Sequence, residues 1–167
     1  MVEEAVEASK FDVDFKFSLA GTREGKTILR CFQCGICTSG CPHSDILDIK
    51  PHQMAKMALL GMKEELISCE AIWVCSSCFM CSERCPQGVD LGSVVFALRN
   101  IAVDEGRIPE GIKSVGIGVF NTGRLVRVTS LRERERAALG LPETPPVDVE
   151  TIQRLLRETR IDDLIVE

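Results

Sequence analysis

The sequence predicts a mainly α-helical protein built on a twice-repeated unit of cysteine loop followed by helix, with an N-terminal arm and a C-terminal helical tail. Three observations predict it. The run Cys31-x-x-Cys34-x-x-Cys37-x-x-x-Cys41 recurs 44 residues later as Cys75-x-x-Cys78-x-x-Cys81-x-x-x-Cys85. A stretch of helical apolar spacing follows each run. The flanks differ in composition from the repeat, acidic at the start and punctuated by proline near the end. These features divide the chain into an arm over 1–27, a core domain over 28–110 and a tail over 111–167.

The cysteine runs carry the chemistry. Three thiols at i, i+3 and i+6 wrap three corners of a cube, and a fourth follows just before Pro42 or Pro86. Proline fixes φ and has no N–H, so the chain turns away at that point. This doubled spacing is the bacterial-ferredoxin signature for two [4Fe–4S] clusters. A cubane takes one thiolate per iron, so two clusters need eight, and the runs supply eight of the nine cysteines. In this motif class the fourth cysteine ligates the other cluster. One cluster is therefore assigned Cys31, Cys34, Cys37 and Cys85, and the other Cys75, Cys78, Cys81 and Cys41. Such cross-ligation would couple folding to metal assembly. Structural zinc sites pair two short hooks instead of using a triplet plus a fourth thiol before proline. An odd cysteine count argues against a disulfide framework, as does the start Met1-Val2-Glu3-Glu4, which does not resemble a secretory signal. A reducing cytoplasm, the expected location, keeps thiols free for cluster assembly. Cys69 fits neither spacing and is expected to be a buried, inert thiol. No catalytic residue is assigned.

The remaining elements follow in order. Phe11-Asp12-Val13-Asp14-Phe15-Lys16-Phe17 alternates apolar and charged residues, which reads as a short edge strand or extended arm broken by Gly21 and Gly25. The 33 residues from Pro42 to Val74 read as helix. Met54, Ala58, Met62 and Leu66 step by four there, Met57 and Leu59 broaden the face, and Pro51 suits a first turn. The methionines read as flexible core filling beside the clusters. After the second run, Leu91, Val94, Val95, Leu98, Ile101 and Ala102 share one helical face, with Asp90 to cap its start and Gly106 its end. Residues 108–130 hold Gly111, Gly116, Gly118 and Gly123 among Val and Ile, and read as a loop or extended segment. Gly116-x-Gly118 lacks a following lysine or a full dinucleotide fingerprint. Arg124 to Arg136 reads as a solvated helix face with i,i+3 and i,i+4 ion pairs, or else as a docking patch for an acidic partner. Pro142, Pro145 and Pro146 make a stiff linker, and Asp148 caps a last helix reaching about Arg160. The tail adds nothing to cluster chemistry and reads as an interaction segment. His43 and His52 lack ligand spacing and read as surface residues. Arg84 and Lys50 read as solvated too, although positive charge near a cluster would raise its potential.

Net charge is −5 with no cationic block, which excludes nucleic acid as an expected partner. The longest apolar runs fall far short of a membrane span, so no membrane association is expected.

Over residues 31 to 110 the chain resembles the α-helical ferredoxin family. That family includes iron–sulfur subunits of succinate dehydrogenase, anaerobic glycerol-phosphate dehydrogenase and, most similar, the C subunit of methanogen heterodisulfide reductase. Cys31-Phe32-Gln33-Cys34-Gly35-Ile36-Cys37-Thr38-Ser39-Gly40-Cys41-Pro42 resembles the first cluster loop of that C subunit. Trp73-Val74-Cys75-Ser76-Ser77-Cys78 and Glu83-Arg84-Cys85-Pro86 resemble its second. Succinate dehydrogenase relatives lose a ligand in one run; both runs are complete here, which favours two cubanes. Relatives that carry a substrate site have adjacent Cys-Cys pairs, and this chain has none. The resemblance implies a non-catalytic electron-transfer subunit of an oxidoreductase active in methanogenesis. Its implied partners are the other heterodisulfide reductase subunits, one carrying flavin and one cysteine-rich and catalytic, with a hydrogenase or formate dehydrogenase in the same assembly. Electrons would pass from the flavin partner to the catalytic one, where the mixed disulfide of coenzyme M and coenzyme B is reduced. Two other expectations compete: an iron–sulfur subunit of a glycolate, lactate or glycerol-phosphate flavin dehydrogenase, and a freely diffusing carrier.

Overall fold

The computed structural model describes residues 8–165; the acidic start of the expected arm, residues 1–7, lies outside the described residues, as do 166 and 167. The chain divides into two compact units, 1–107 and 108–167. Among the described residues every regular element is helical. In the first unit these are α1 (Phe15–Gly21), α2 (Ile36–Ser39), α3 (Pro51–Leu60), α4 (Lys63–Ser68), α5 (Ala71–Val74), α6 (Met80–Glu83) and α7 (Leu91–Asp104). In the second they are α8 (Glu110–Thr122), α9 (Ser130–Ala138), α10 (Val149–Glu158) and α11 (Asp162–Ile165). No helix among the described residues is long and apolar enough to cross a membrane.

The strand expected over Phe11–Phe17 is corrected to the start of α1. The alternation misleads because Val13 and Phe17 are 69 % and 57 % exposed, whereas Phe15 and Leu19, four residues apart, are buried on one helical face. This helix packs on α3 and belongs to the core of the first unit.

The helix expected across Pro42–Val74 is three helices. Pro51 opens α3, where its missing N–H would have had no intrahelical partner. Gly61 closes it at φ +84°, and a Cβ there would lie 2.0 Å from the Asp12 carbonyl oxygen. Asp12 N donates to the Gly61 carbonyl at 2.9 Å, so the chain leading into α1 crosses where the helix stops. Met54, Ala58 and Leu66 are buried as their spacing predicts, while Met62 sits half-buried at the break. The longest helix of this unit, α7, buries Leu91, Val94, Val95, Leu98 and Ala102. It packs on α4, α5 and α6, so the second cysteine run lies against a rigid, apolar rod.

In the second unit the loop expected over 108–130 is mostly helix, α8. Interior glycines each cost about 1 kcal/mol of helix propensity, which hid it. The packing explains one of them. A Cβ on Gly116 would lie 2.6 Å from the Ile165 side chain, so the glycine admits α11 to close contact. Gln153 of α10 donates to the Phe120 carbonyl at 3.0 Å, and Arg157 stacks over the Phe120 ring. Of the basic stretch, only the part from Ser130 onward is helix, α9, with an exposed Arg132–Glu135 pair at 3.0 Å; Arg124 and Arg127 precede it. Asp148 caps α10 through Thr151 N at 3.1 Å, and one further turn, α11, follows the helix expected to be last.

Candidate metal centre

From the residue after the second thiol onward, the two cysteine runs share their backbone hydrogen bonds. In the first, Thr38 N donates to the Gly35 carbonyl, Gly40 N to Ile36, Cys41 N to Thr38 and Ser44 N to Cys41. Each of these bonds recurs 44 positions later, from Ser82 to Phe79, Arg84 to Met80, Cys85 to Ser82 and Gly88 to Cys85. Left-handed backbone recurs in the same register: Gln33 and Gly35 have φ of 63° and 80°, Ser77 and Phe79 of 54° and 59°. These two reversals per run wrap the loop, so the thiols at i, i+3 and i+6 face a common space instead of following one helix. The register then breaks. The next helix starts ten residues after Cys41, at Pro51, but six after Cys85, at Leu91.

The structure gathers the eight repeat thiols around two cavities. Cys31, Cys34, Cys37 and Cys85 line one. Cys41, Cys75, Cys78 and Cys81 line the other. Each cavity thus holds three thiols of one run and the last thiol of the other. Cys81 reaches the first cavity as well, and Leu91 lines both. The one-turn helices α2 and α6, which carry Cys37 and Cys81, pack against each other. Apolar side chains complete the walls, Ala55 and Val89 in the first and Met54 and Val95 in the second. Among the described residues no three His, Cys, Asp or Glu side chains converge tightly enough to hold a single metal ion. The thiols surround a volume, whereas the donors of a lone tetrahedral ion lie about 2.0–2.3 Å from one point. A four-iron cubane fits that arrangement, since it offers its corners to thiols spread around it.

Exposure and titration differ among the thiols. Cys34 and Cys78 are exposed and the other six are half-buried. Burial pushes the Cys37 thiol up, and pushes Cys81 up to about 11. Both would have to lose a proton to bind iron, so loading should release protons. Cys69 is buried, donates to the Leu66 carbonyl at 3.0 Å and lines neither cavity.

Several side chains that the sequence left unassigned support the loops. The hydroxyl following Cys37 and that following Cys81 play the same part. Thr38 Oγ1 accepts from His52 N at 3.0 Å, and Ser82 Oγ accepts from Gly92 N at 2.9 Å. Each ties its loop to the second residue of the next helix. Their second partners differ: Thr38 meets His52 Nδ1 at 2.7 Å, Ser82 donates to Asp90 at 2.6 Å. Burial pushes the Asp90 carboxyl up, but hydrogen bonds from Ser82 and Ser93 outweigh it and hold the carboxyl below its ordinary value. His43 lies 3.4 Å from the Ser76 hydroxyl. Both histidines are half-buried, and His52, expected at the surface, is a support of the first loop. Lys50 is likewise half-buried, its ammonium bound to the Ser44 and Leu47 carbonyls, whereas Arg84 is exposed as expected. Arg99 of α7 donates to the Ile72 and Cys75 carbonyls, both at 2.5 Å, and to Ser77 Oγ at 3.2 Å. No local signal marked it, because its partners lie 22 to 27 residues away.

All-helical packing around two thiol-lined cavities defines a class, the iron–sulfur proteins, and the family model of the 4Fe-4S dicluster domain matches residues 27–89. The chain also has relatives along most of its length. It is 34 % identical to the C subunit of the H(2):CoB-CoM heterodisulfide,ferredoxin reductase of Methanothermobacter thermautotrophicus, over 98 % of this chain and 91 % of that protein. It is 31 % identical to the iron-sulfur C subunit of the CoB–CoM heterodisulfide reductase of Methanopyrus kandleri, over 83 % of this chain and 76 % of that protein. A Methanosarcina acetivorans protein, the C subunit of the ferredoxin/F(420)H(2)-dependent CoB-CoM heterodisulfide reductase, is 30 % identical over 86 % of this chain and 92 % of its own length. The chain belongs to the family of heterodisulfide reductase C subunits.

Proposed function

We propose that this chain is the electron conduit of a cytoplasmic heterodisulfide reductase, carrying two [4Fe–4S] clusters between a flavin-containing partner and a cysteine-rich catalytic one. Bound in the two cavities, the clusters would each pass one electron at a time. Cys31, Cys34, Cys37 and Cys85 hold one; Cys75, Cys78, Cys81 and Cys41 hold the other. The observation that carries this reading is the make-up of the cavities: three thiols of one run and the fourth of the other line each, with Cys81 common to both.

The protein's own residues supply insulation and order. Ala55, Val89, Met54 and Val95 exclude water from the cavity walls, which lowers the local dielectric and steadies the potentials. Cys81 and Leu91 line both cavities and so stand between the two sites. Exposed Cys34 and Cys78 mark the two outer faces at which electrons would enter and leave. The chain lacks a Cys-Cys pair, so disulfide reduction is left to the cysteine-rich partner. Residues 111–167 serve assembly, and a hydrogenase or formate dehydrogenase supplies the electrons upstream.

Iron and acid-labile sulfide measured after anaerobic reconstitution should each approach eight per chain. Cys41→Ser should then cost the cluster of the second run, and Cys85→Ser that of the first. Damage confined to each variant's own run overturns the cross-ligation. The isolated chain should take electrons from a low-potential dye without turning over the heterodisulfide. Turnover by the chain alone would refute the conduit role. Deleting residues 141–167 should weaken assembly and leave iron content intact.

A further inference from the structure

We propose that Arg99 both holds the second cysteine loop and raises the potential of the cluster bound there, so that two loops of the same fold differ in redox poise. The inference rests on the ligand assignment above and extends it to a residue outside the cysteine motif.

Three donors of one guanidinium grip the loop. They reach the carbonyls of Ile72 and Cys75 and the hydroxyl of Ser77, which has left-handed backbone. Two of those groups belong to the thiol loop itself, one of them to a ligand residue. The Phe96 ring covers the guanidinium at 5.3 Å. No carboxylate among the described residues lies within ion-pair distance of Arg99. Its charge is therefore half-buried, uncompensated and fixed against the second loop.

The first loop has no counterpart. The position 44 residues earlier is Ala55, and the position counted from the helix starts is Leu59; both are apolar. Among the other charges near the loops, Lys50 on the Ser44 and Leu47 carbonyls and Arg84 beside Gly40 are the same in every variant compared below, and Asp90 bears on both cavities. It bonds Ser82, next to Cys81, and follows Val89, whose N–H donates to Cys85 Sγ at 3.3 Å. It contributes little to the difference between them. Reduction adds one negative charge to a cluster, and a fixed cation nearby favours the reduced form. A unit charge acting over about 10 Å at an effective dielectric of about 20 shifts such an equilibrium by at least tenfold.

Arg99 also caps the end of α5, a purely structural role that any suitable donor would fill. The test separates the two. Wild type, Arg99→Gln and Arg99→Lys are reconstituted anaerobically and titrated with dithionite and mediator dyes, with both cluster signals followed by electron paramagnetic resonance. The signal missing from Cys41→Ser marks the second-loop cluster. In Arg99→Gln its reduced-to-oxidised ratio at fixed potential should fall about tenfold, a shift of about 59 mV for a one-electron couple. The first-loop signal should stay in place, and Arg99→Lys should recover most of the shift. Equal shifts in both signals, no shift in either, or a lysine variant as low as the glutamine one overturns the proposal. If Arg99→Gln fails to load the second loop, Arg99→Lys decides: a near-wild-type potential supports the charge role, and failure to load overturns it. Wild type lacking two separable clusters sinks the ligand assignment instead, which keeps the two failures distinct.

Discussion

The first and second cysteine loops share a backbone but not a scaffold. Their hydrogen bonds match over ten residues and their left-handed positions coincide. Yet the fourth loop residue after the first thiol is Gly35 in one and Phe79 in the other. A Cβ on Gly35 would meet nothing within 4 Å. Phe79 takes φ +59°, costly for a bulky residue, and is held there by its stack on Phe96 at 6.2 Å and by its seat on Gly92. The first loop is tied to its helix by Thr38 and an imidazole, the second by Ser82 and a carboxylate, with Arg99 beneath it. Repeated residues determine which group can be bound. The unrepeated residues around them determine how tightly each loop is held and how its charge is balanced.

Substitutions at three positions sharpen that comparison, and urea unfolding monitored by circular dichroism checks each. Asp90→Ala should cost the most, about 2 kcal/mol, since it removes an N-cap and strips the Ser82 and Ser93 hydroxyls of their acceptor. Its acid dependence has a definite sign. The folded carboxyl lies below its ordinary value, so its stabilisation is complete above the unfolded value, near pH 4, and fades as pH falls through the folded one. The gap between wild type and Asp90→Asn should therefore be flat from neutral pH down to about 5 and narrow in stronger acid. A gap that widened in acid would contradict the assigned hydrogen bonds.

Gly92→Ala should be next. A Cβ there would lie 2.6 Å from the Phe79 ring. Overpacking costs about 1–3 kcal/mol and outweighs the roughly 1 kcal/mol gained by replacing a helical glycine. A net stabilisation would mean that the ring is free to swing and that Phe79 is not held as described. His52→Ala should cost least, about 0.5–1 kcal/mol, because Thr38 still accepts from the backbone N–H of residue 52. A loss as large as that of Asp90→Ala would erase the distinction between the two supports.

The helices left unread show where local pattern fails. Residues 11–17 alternate like a strand, and only the burial of Phe15 and Leu19 selects one face of a helix. Four glycines disguise α8 and its end, and only the approach of Ile165 gives Gly116 a reason. By contrast Pro51, Asp90, Asp148 and Gly106 mark helix ends as expected, because capping depends on groups within a few residues.

What the sequence by itself determined is the chemistry: eight thiols at a spacing tied to one class of cofactor, the caps around them, and the family resemblance those residues carry. These are near-neighbour properties, written in consecutive residues. Only the tertiary structure decided that Cys81 lines both cavities, that Gly92 makes room for Phe79, and that an arginine more than twenty residues away grips the second loop. Those depend on packing between distant segments, where side-chain direction and burial override any short-range pattern.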